Sequence, residues 1–190
     1  MENALNSLPV ELLRQILDTC SAHDISRLWF CGDGRLNSRL AAGGVARFDL
    51  EFIPRLRDVF PSLLSSFALL RDLRIDFNQK ASSYSMWMEG FDWEHLPATL
   101  ERLEMRVQNL VAPAPLLRPH TTLKSLILRS QVKDRNLASL LFRFFPNLQA
   151  AKLLVQAWGT YLGLRIWELP RSLTSLVMGA VNIMWSEESG

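Results

Sequence analysis

The sequence predicts an α/β fold in two parts: a short helical module over residues 5–42, and a stacked-repeat solenoid over residues 45–190 with a curved parallel sheet and convex helices or loops. Three observations predict it. The chain opens with an apolar stripe at helical spacing, through Leu8, Leu12, Leu13, Ile16, Leu17 and Cys20. Ala46, Phe48, Leu50 and Phe52 then alternate with Arg47, Asp49 and Glu51, the period-two pattern of a half-buried strand. Finally, Leu-x-x-Leu-x-(Leu/Ile/Met) returns at Leu70-Leu73-Ile75, Leu100-Leu103-Met105, Leu123-Leu126-Leu128 and Leu173-Leu176-Met178, and more loosely at Leu148-Ala151-Leu153.

The helical module comes first. Ser7 can cap the first helix, and Pro9 suits its first turn, where a missing N–H removes no bond. The helix stops near Ser21, and Asp24 can cap a second one carrying Ile25, Leu28 and Trp29. Gly32 and Gly34 break that helix, and a third spans residues 36–41 before Gly43-Gly44. Three helices this short cannot bury their apolar surface among themselves, so part of it meets the rest of the chain or a partner.

The solenoid follows. Pro54 ends the first strand, and residues 55–67 read as a helix interrupted at Pro61. The repeats start at Leu70, Leu100, Leu123, Leu148 and Leu173, 30, 23, 25 and 25 residues apart, so the first interval carries a small insertion. Eight residues after each start stand Asn78, Gln108, Gln131, Gln156 and Val181, amides in four of five cases, suited to a bend after the strand. Each unit offers one short apolar strand face that only neighbouring units can bury. Residues 137–145 form a helix with Leu137, Leu140, Leu141 and Phe144 inward, and residues 159–168 a weaker one. Three prolines keep residues 111–119 out of regular helix. Pro97, Pro146 and Pro170 precede repeat leucines and help turn the chain into its strands. The array has five turns, or six if residues 48–52 open it; the competing reading is a plain α/β domain with leucine-rich strands.

Composition excludes several classes. A chain of 190 residues that is 48% hydrophobic has enough apolar content to be globular. Its net charge of +2 argues for neither nucleic acid nor an anionic membrane. The N-terminus lacks the charged and apolar regions of a signal peptide, and no apolar run reaches the roughly 18 residues of a membrane span. Cys20 and Cys31 read as free thiols on apolar helix faces, in keeping with a reducing, cytoplasmic or nuclear compartment. His23, His95 and His120 are isolated, without metal-ligand spacing to the cysteines. Gly32-Asp33-Gly34 lacks the strand-to-helix context of a phosphate loop, and no nucleophile–base spacing stands out. The expectation is a non-enzyme with no metal or other cofactor.

The opening residues resemble an F-box: Leu8-Pro9-Val10-Glu11-Leu12-Leu13, the Ile16-Leu17 pair, then Asp24-Ile25 and an apolar second helix. Cys31 fits the family pattern, whereas Gly32 to Leu40 departs from it and lacks the family's tryptophan; the variant is similar to fungal F-box proteins. The later pattern resembles leucine-rich repeats, a pairing familiar in that family. The resemblance implies that Leu8, Pro9, Leu12, Ile16 and Leu17, with Ile25 and Leu28, dock on a Skp-type adaptor and through it a cullin ubiquitin ligase, while the repeats hold a protein target. The alternative is a leucine-rich repeat scaffold whose first helices merely cap the solenoid.

Two target surfaces stand out. Residues flanking the central repeat leucine point into the concave face, where Arg74, Arg106, Arg129 and Lys152 form a loose basic stripe beside Glu104, for an acidic or phosphorylated target. The bland reading is a solvated face with scattered charge. The second candidate is the aromatic-rich insertion at residues 84–93, with Trp87 and Trp93; it either binds a partner or folds its aromatics over the core. Ile183, Met184 and Trp185 either cover the last apolar edge or mark where a longer array was truncated.

Overall fold

The computed structural model describes residues 7–21, 24–25, 27–28, 37–40, 45–51, 67–76, 91, 93–107, 110–132, 136–157 and 166–179. Strands β1 (Arg47–Glu51), β2 (Asp72–Asp76), β3 (Arg102–Val107), β4 (Ser125–Val132), β5 (Ala150–Ala157) and β6 (Ser175–Gly179) form one sheet in sequence order. Every neighbouring pair is parallel, so the chain is a β-solenoid with few helices, and β1 is its opening turn. Register places the repeat residues side by side. Phe48, Leu73, Leu103, Leu126, Ala151 and Leu176 form one cross-strand row, and Ile75, Met105, Leu128, Leu153 and Met178 the next. From Phe48 to Ala151, and from Ile75 to Leu153, these side chains are buried; at the last strand Leu176 is half-buried and Met178 exposed.

The turns into the strands repeat as closely as the strands do. The N–H of Leu70, Leu100, Leu148 and Leu173 each bonds the carbonyl three residues back, on Phe67, Pro97, Phe145 and Pro170. The first two N–H groups of each new strand region then share one carbonyl of the previous repeat: Arg71 and Asp72 on Ala46, Glu101 and Arg102 on Arg71, Lys124 and Ser125 on Glu101. The same pairing continues to β6 through Lys124 and Gln149. A side-chain ladder accompanies it, from the residue just before the first repeat leucine. Thr99 Oγ1 donates to Leu70 O (2.8 Å), Thr122 Oγ1 to Ala98 O (2.6 Å), Asn147 Nδ2 to Thr121 O (2.8 Å) and Ser172 Oγ to Leu148 O (2.8 Å). Backbone carbonyls at these turns thus find partners without an intervening helix.

His120 occupies the same slot as Phe67, Pro97, Phe145 and Pro170, three residues before its leucine. Its ring is buried, Nε2 meets Pro97 O at 2.8 Å, and its own N–H bonds Phe144 O at 2.7 Å. Because the carbonyl only accepts, the Nε2 end carries the proton.

On the side away from the open sheet face, helix α2 (Leu137–Phe144) buries Leu137, Ala138, Leu141, Phe142 and Phe144; Leu140, expected inward, is half-buried. Of the second convex helix, only a 3-10 turn at Ile166–Glu168 lies among the described residues; its Glu168 accepts from Ser139 Oγ and lies 3.5 Å from Arg143. Residues 110–119 are neither helix nor strand, as their prolines require. Gln131 and Gln156 do not sit at a bend: β4 and β5 run on through them, paired in register, because the alternating pattern continues to Val132 and Ala157. Asn78, Gln108 and Val181, the helix at 55–66 and the tail at 183–185 lie outside the described residues.

At the N-terminus, helix α1 (Val10–Thr19) starts one residue later than its proline suggests. Pro9, rather than Ser7, takes the N-cap position, and its carbonyl accepts from Leu13 N at 3.0 Å. Ser21, rather than Asp24, caps the next helical segment: its carbonyl accepts from Ile25 N, and its hydroxyl bonds both the N–H and the carboxylate of Asp24. Residues 24–25, 27–28 and 37–40 are helical, and an Arg39 guanidinium nitrogen donates to Leu8 O. Leu13, Leu17, Ile25 and Leu40 are buried in one apolar core with Val45, Phe48 and the sheet rows.

Leu103→Ala, at a fully buried row position, is expected to lower stability by about 2–5 kcal/mol, and Leu176→Ala at the half-buried end by distinctly less; denaturant unfolding checks both. His120 sets a pH dependence. Burial holds its imidazole below the ordinary 6.5, so the unfolded chain binds a proton that the folded chain refuses. Stability is therefore full above 6.5 and lost as pH falls through that value towards the depressed folded one. Thermal midpoints across that window are expected to drop more for the wild-type chain than for His120→Gln.

Candidate interaction surfaces

The sheet buries one face and leaves the other open, although parallel sheets are ordinarily covered on both. Three outward rows follow from the register. The first holds Arg47, Asp72, Arg102, Ser125, Ala150 and Ser175; the second Arg74, Glu104, Ile127, Lys152 and Val177; the third Asp76, Arg106, Arg129, Leu154 and Gly179. Burial along β2 and β3 alternates accordingly.

Over β2 and β3 the charges answer one another. Arg102 lies 3.7 Å from Asp72, and Asp76 takes both Arg74 at 3.5 Å and Arg106 at 3.9 Å. Burial pushes the Asp72 carboxyl above its ordinary 3.8 against the opposing pull of Arg102 and Arg47, and nearby Glu104 adds to the rise. Beyond β3 the pattern changes. The cross-strand neighbours of Arg129 are Arg106 and Leu154, and those of Lys152 are Ile127 and Val177. The expected basic stripe thus divides: Arg74 and Arg106 share Asp76, whereas Arg129 and Lys152 stand on apolar strands. The acids of these pairs, Asp72 for Arg102 and Asp76 for Arg74 and Arg106, were visible in the sequence; which arginines they meet across the strands required the register.

A second edge runs along the starts of the strands, a groove of about 590 Å³ lined by Arg71, Thr99, Glu101, Thr122, Lys124 and Asn147, among others. Glu101 bonds Lys124 at 2.8 Å and lies 3.8 Å from Arg71; the Lys124 hydrogen bond, then its charge, lowers the Glu101 carboxyl below the usual range. Its hydroxyl and amide ladder was legible as Thr, Thr, Asn or Ser before four of the five repeat leucines, a signal the reading of apolar positions passed over.

Helix α1 carries the third surface. Leu13 and Leu17 are buried, whereas Val10, Leu12 and Ile16 are 40%, 46% and 36% exposed. Of the residues expected to meet an adaptor, Leu8 and Leu28 are half-buried, Pro9, Leu12 and Ile16 are exposed, and Leu17 and Ile25 lie in the chain's own core. Leu17 shares the inward side of α1 with Leu13, one turn away, and Ile25 closes the same core.

Trp93 takes the second of the two courses open to its insertion. It is buried, its Nε1 donates to Val111 O at 3.0 Å, and its ring meets Phe91 edge-on at 4.7 Å and Phe144 and Phe145 at 6.0 Å. This end of the insertion covers the core; Trp87 lies outside the described residues. Among the described residues, no group of three or more His, Cys, Asp or Glu is placed to hold a metal, and no helix is long and apolar enough to cross a membrane. Comparison with protein-family models, curated proteins and solved structures yields no match.

Removing the acid that Arg74 and Arg106 share, by Asp76→Asn, is expected to cost about 1 kcal/mol or less, since both arginines are about half exposed to solvent. The loss should shrink at high salt, which paired urea titrations at low and high ionic strength would read.

Proposed function

We propose that this chain is a non-catalytic substrate-recognition adaptor of a cullin-based ubiquitin ligase, in the cytoplasm or nucleus. The F-box-like helices dock on a Skp-type adaptor, and the leucine-rich repeats hold a protein target on the open sheet face. The observation that carries this reading is the division of α1. Leu13 and Leu17 serve the core, while Val10 and Leu12, within the Leu-Pro-x-Glu-Leu-Leu pattern, and Ile16, of the Ile-Leu pair after it, leave apolar side chains in water. Three exposed aliphatic side chains on one ten-residue helix offer a partner an anchor that folding does not require. The mechanism is proximity: holding target and ligase together raises the local concentration of a target lysine near the charged ubiquitin carrier.

A second reading is favoured by one observation. Leu13, Leu17, Ile25 and Leu40 share a core with Val45 and Phe48, so the first helices also cap the solenoid. On that reading the chain is a repeat scaffold without a ligase role. Binding of the purified chain to a Skp-type adaptor separates the two. Leu12→Ala/Ile16→Ala is expected to keep the circular dichroism of the wild-type chain and weaken adaptor binding by about tenfold or more. Leu13→Ala/Leu17→Ala is expected to lose structure instead. A folded wild-type chain that does not bind the adaptor would overturn the ligase reading and leave the capped scaffold.

A further inference from the structure

We propose that the open sheet face over β4–β6 receives an acidic, aliphatic segment of a partner protein, with its carboxylates on Arg129 and Lys152 and its aliphatic side chains against Ile127, Leu154 and Val177. This inference rests on the reading of the repeats as the target-holding half, and names the chemistry that half selects.

The two cations differ from their neighbours. Arg74, Arg102 and Arg106 have carboxylates within 4 Å, at the distances given above. Among the described residues neither Arg129 nor Lys152 has an ion pair, and Arg129 Nε is buried without a hydrogen-bond partner. Arg129 also stands directly across from Arg106, a like-charge pairing that destabilises neighbouring strands. Asp76 relieves it on the Arg106 side. On the Arg129 side the acidic neighbour among the described residues of the sheet is Glu104, one strand away and diagonal, outside ion-pair distance. An added carboxylate supplies what the sheet lacks: an acceptor for the guanidinium and a counter-charge for the pair.

The ground around the cations is apolar. Ile127 and Leu154 are half-buried, and Val177 is 48% exposed. Gly179 keeps this ground low: a Cβ there would come within 3.1 Å of Leu154 Cδ2, so the leucine lies over the last strand. None of the outward residues on β4–β6 is aromatic, so the face has no platform on which nucleic-acid bases would stack. Spacing selects the ligand further. Arg129 and Lys152 are diagonal, one strand apart and two positions along, about 8 Å between Cα atoms by strand geometry. Acidic side chains at alternate positions of an extended peptide are about 7 Å apart and project to the same side. The expected ligand therefore carries acid-x-acid with aliphatic neighbours.

The test selects a random displayed peptide library on the full-length chain and measures the winning peptides by fluorescence anisotropy. Enrichment of acid-x-acid with aliphatic neighbours is expected, with binding about tenfold or more weaker for Arg129→Glu/Lys152→Glu, partly weakened for Arg129→Gln/Lys152→Gln, and little changed for Arg74→Gln. Circular dichroism and adaptor binding are read on the same variants, so loss of the fold, or failure of the ligase reading, is seen separately. A library that yields no peptides, or neutral or basic ones, overturns the proposal. So do acidic peptides whose affinity ignores both substitutions, selected peptides that bind only when phosphorylated, or an RNA oligonucleotide that competes for the same residues.

Discussion

A five-residue strand with two inward apolar side chains cannot bury them by itself, and every other feature of the chain answers that constraint. Parallel stacking puts Leu73, Leu103, Leu126 and Ala151 in one row and Ile75, Met105, Leu128 and Leu153 in the next, each sheltered by the strand on either side. Stability in such an array is shared between neighbours, so it fades where a neighbour is missing. Among the described strands that place is β6, where Leu176 and Met178 emerge from the core. Because the inward rows take up the apolar side chains, the outward rows are free to vary, and they do: charged and mutually paired over β2 and β3, apolar with separate cations over β4 and β5.

Helix α1 stands under the same constraint from the other end. Its inward leucines close the first turn of the stack, so the helix is part of the fold whether or not it binds anything. Its outward Leu12 and Ile16 add nothing to that closure. The helix closes a core with one side and leaves leucine and isoleucine in water on another, and the adaptor-docking role proposed above rests on that second side. On that proposal, substitutions on the two sides act on different quantities, stability for one and association for the other.

Much of this architecture was legible in the order of residues. The repeat leucines named the strands and their inward positions, and period-two alternation named β1, because both signals arise from burial within a few residues. Long-range features were harder to read. The sequence left Trp93 between a partner and the core because the groups it meets, Phe144, Phe145 and the Val111 carbonyl, come from later in the chain. The basic stripe looked continuous because Asp76 reaches Arg106 only across a strand boundary. Leu17 and Ile25 matched a docking pattern, but an apolar side chain that suits a partner suits a core equally well. Ser21 and Asp24 were both reasonable caps, and the backbone N–H of Asp24 decided between them.

The ladder of Thr99, Thr122, Asn147 and Ser172 has a direction. In each case the donor belongs to the later repeat and the acceptor carbonyl to the one before it. The shared carbonyls at the strand starts, from Ala46 to Gln149, point the same way. A chain leaving the ribosome presents its N-terminal residues first. Every acceptor in this series is therefore synthesised before its donor. The array can grow by addition at one end, with no earlier turn waiting on a later one for these bonds.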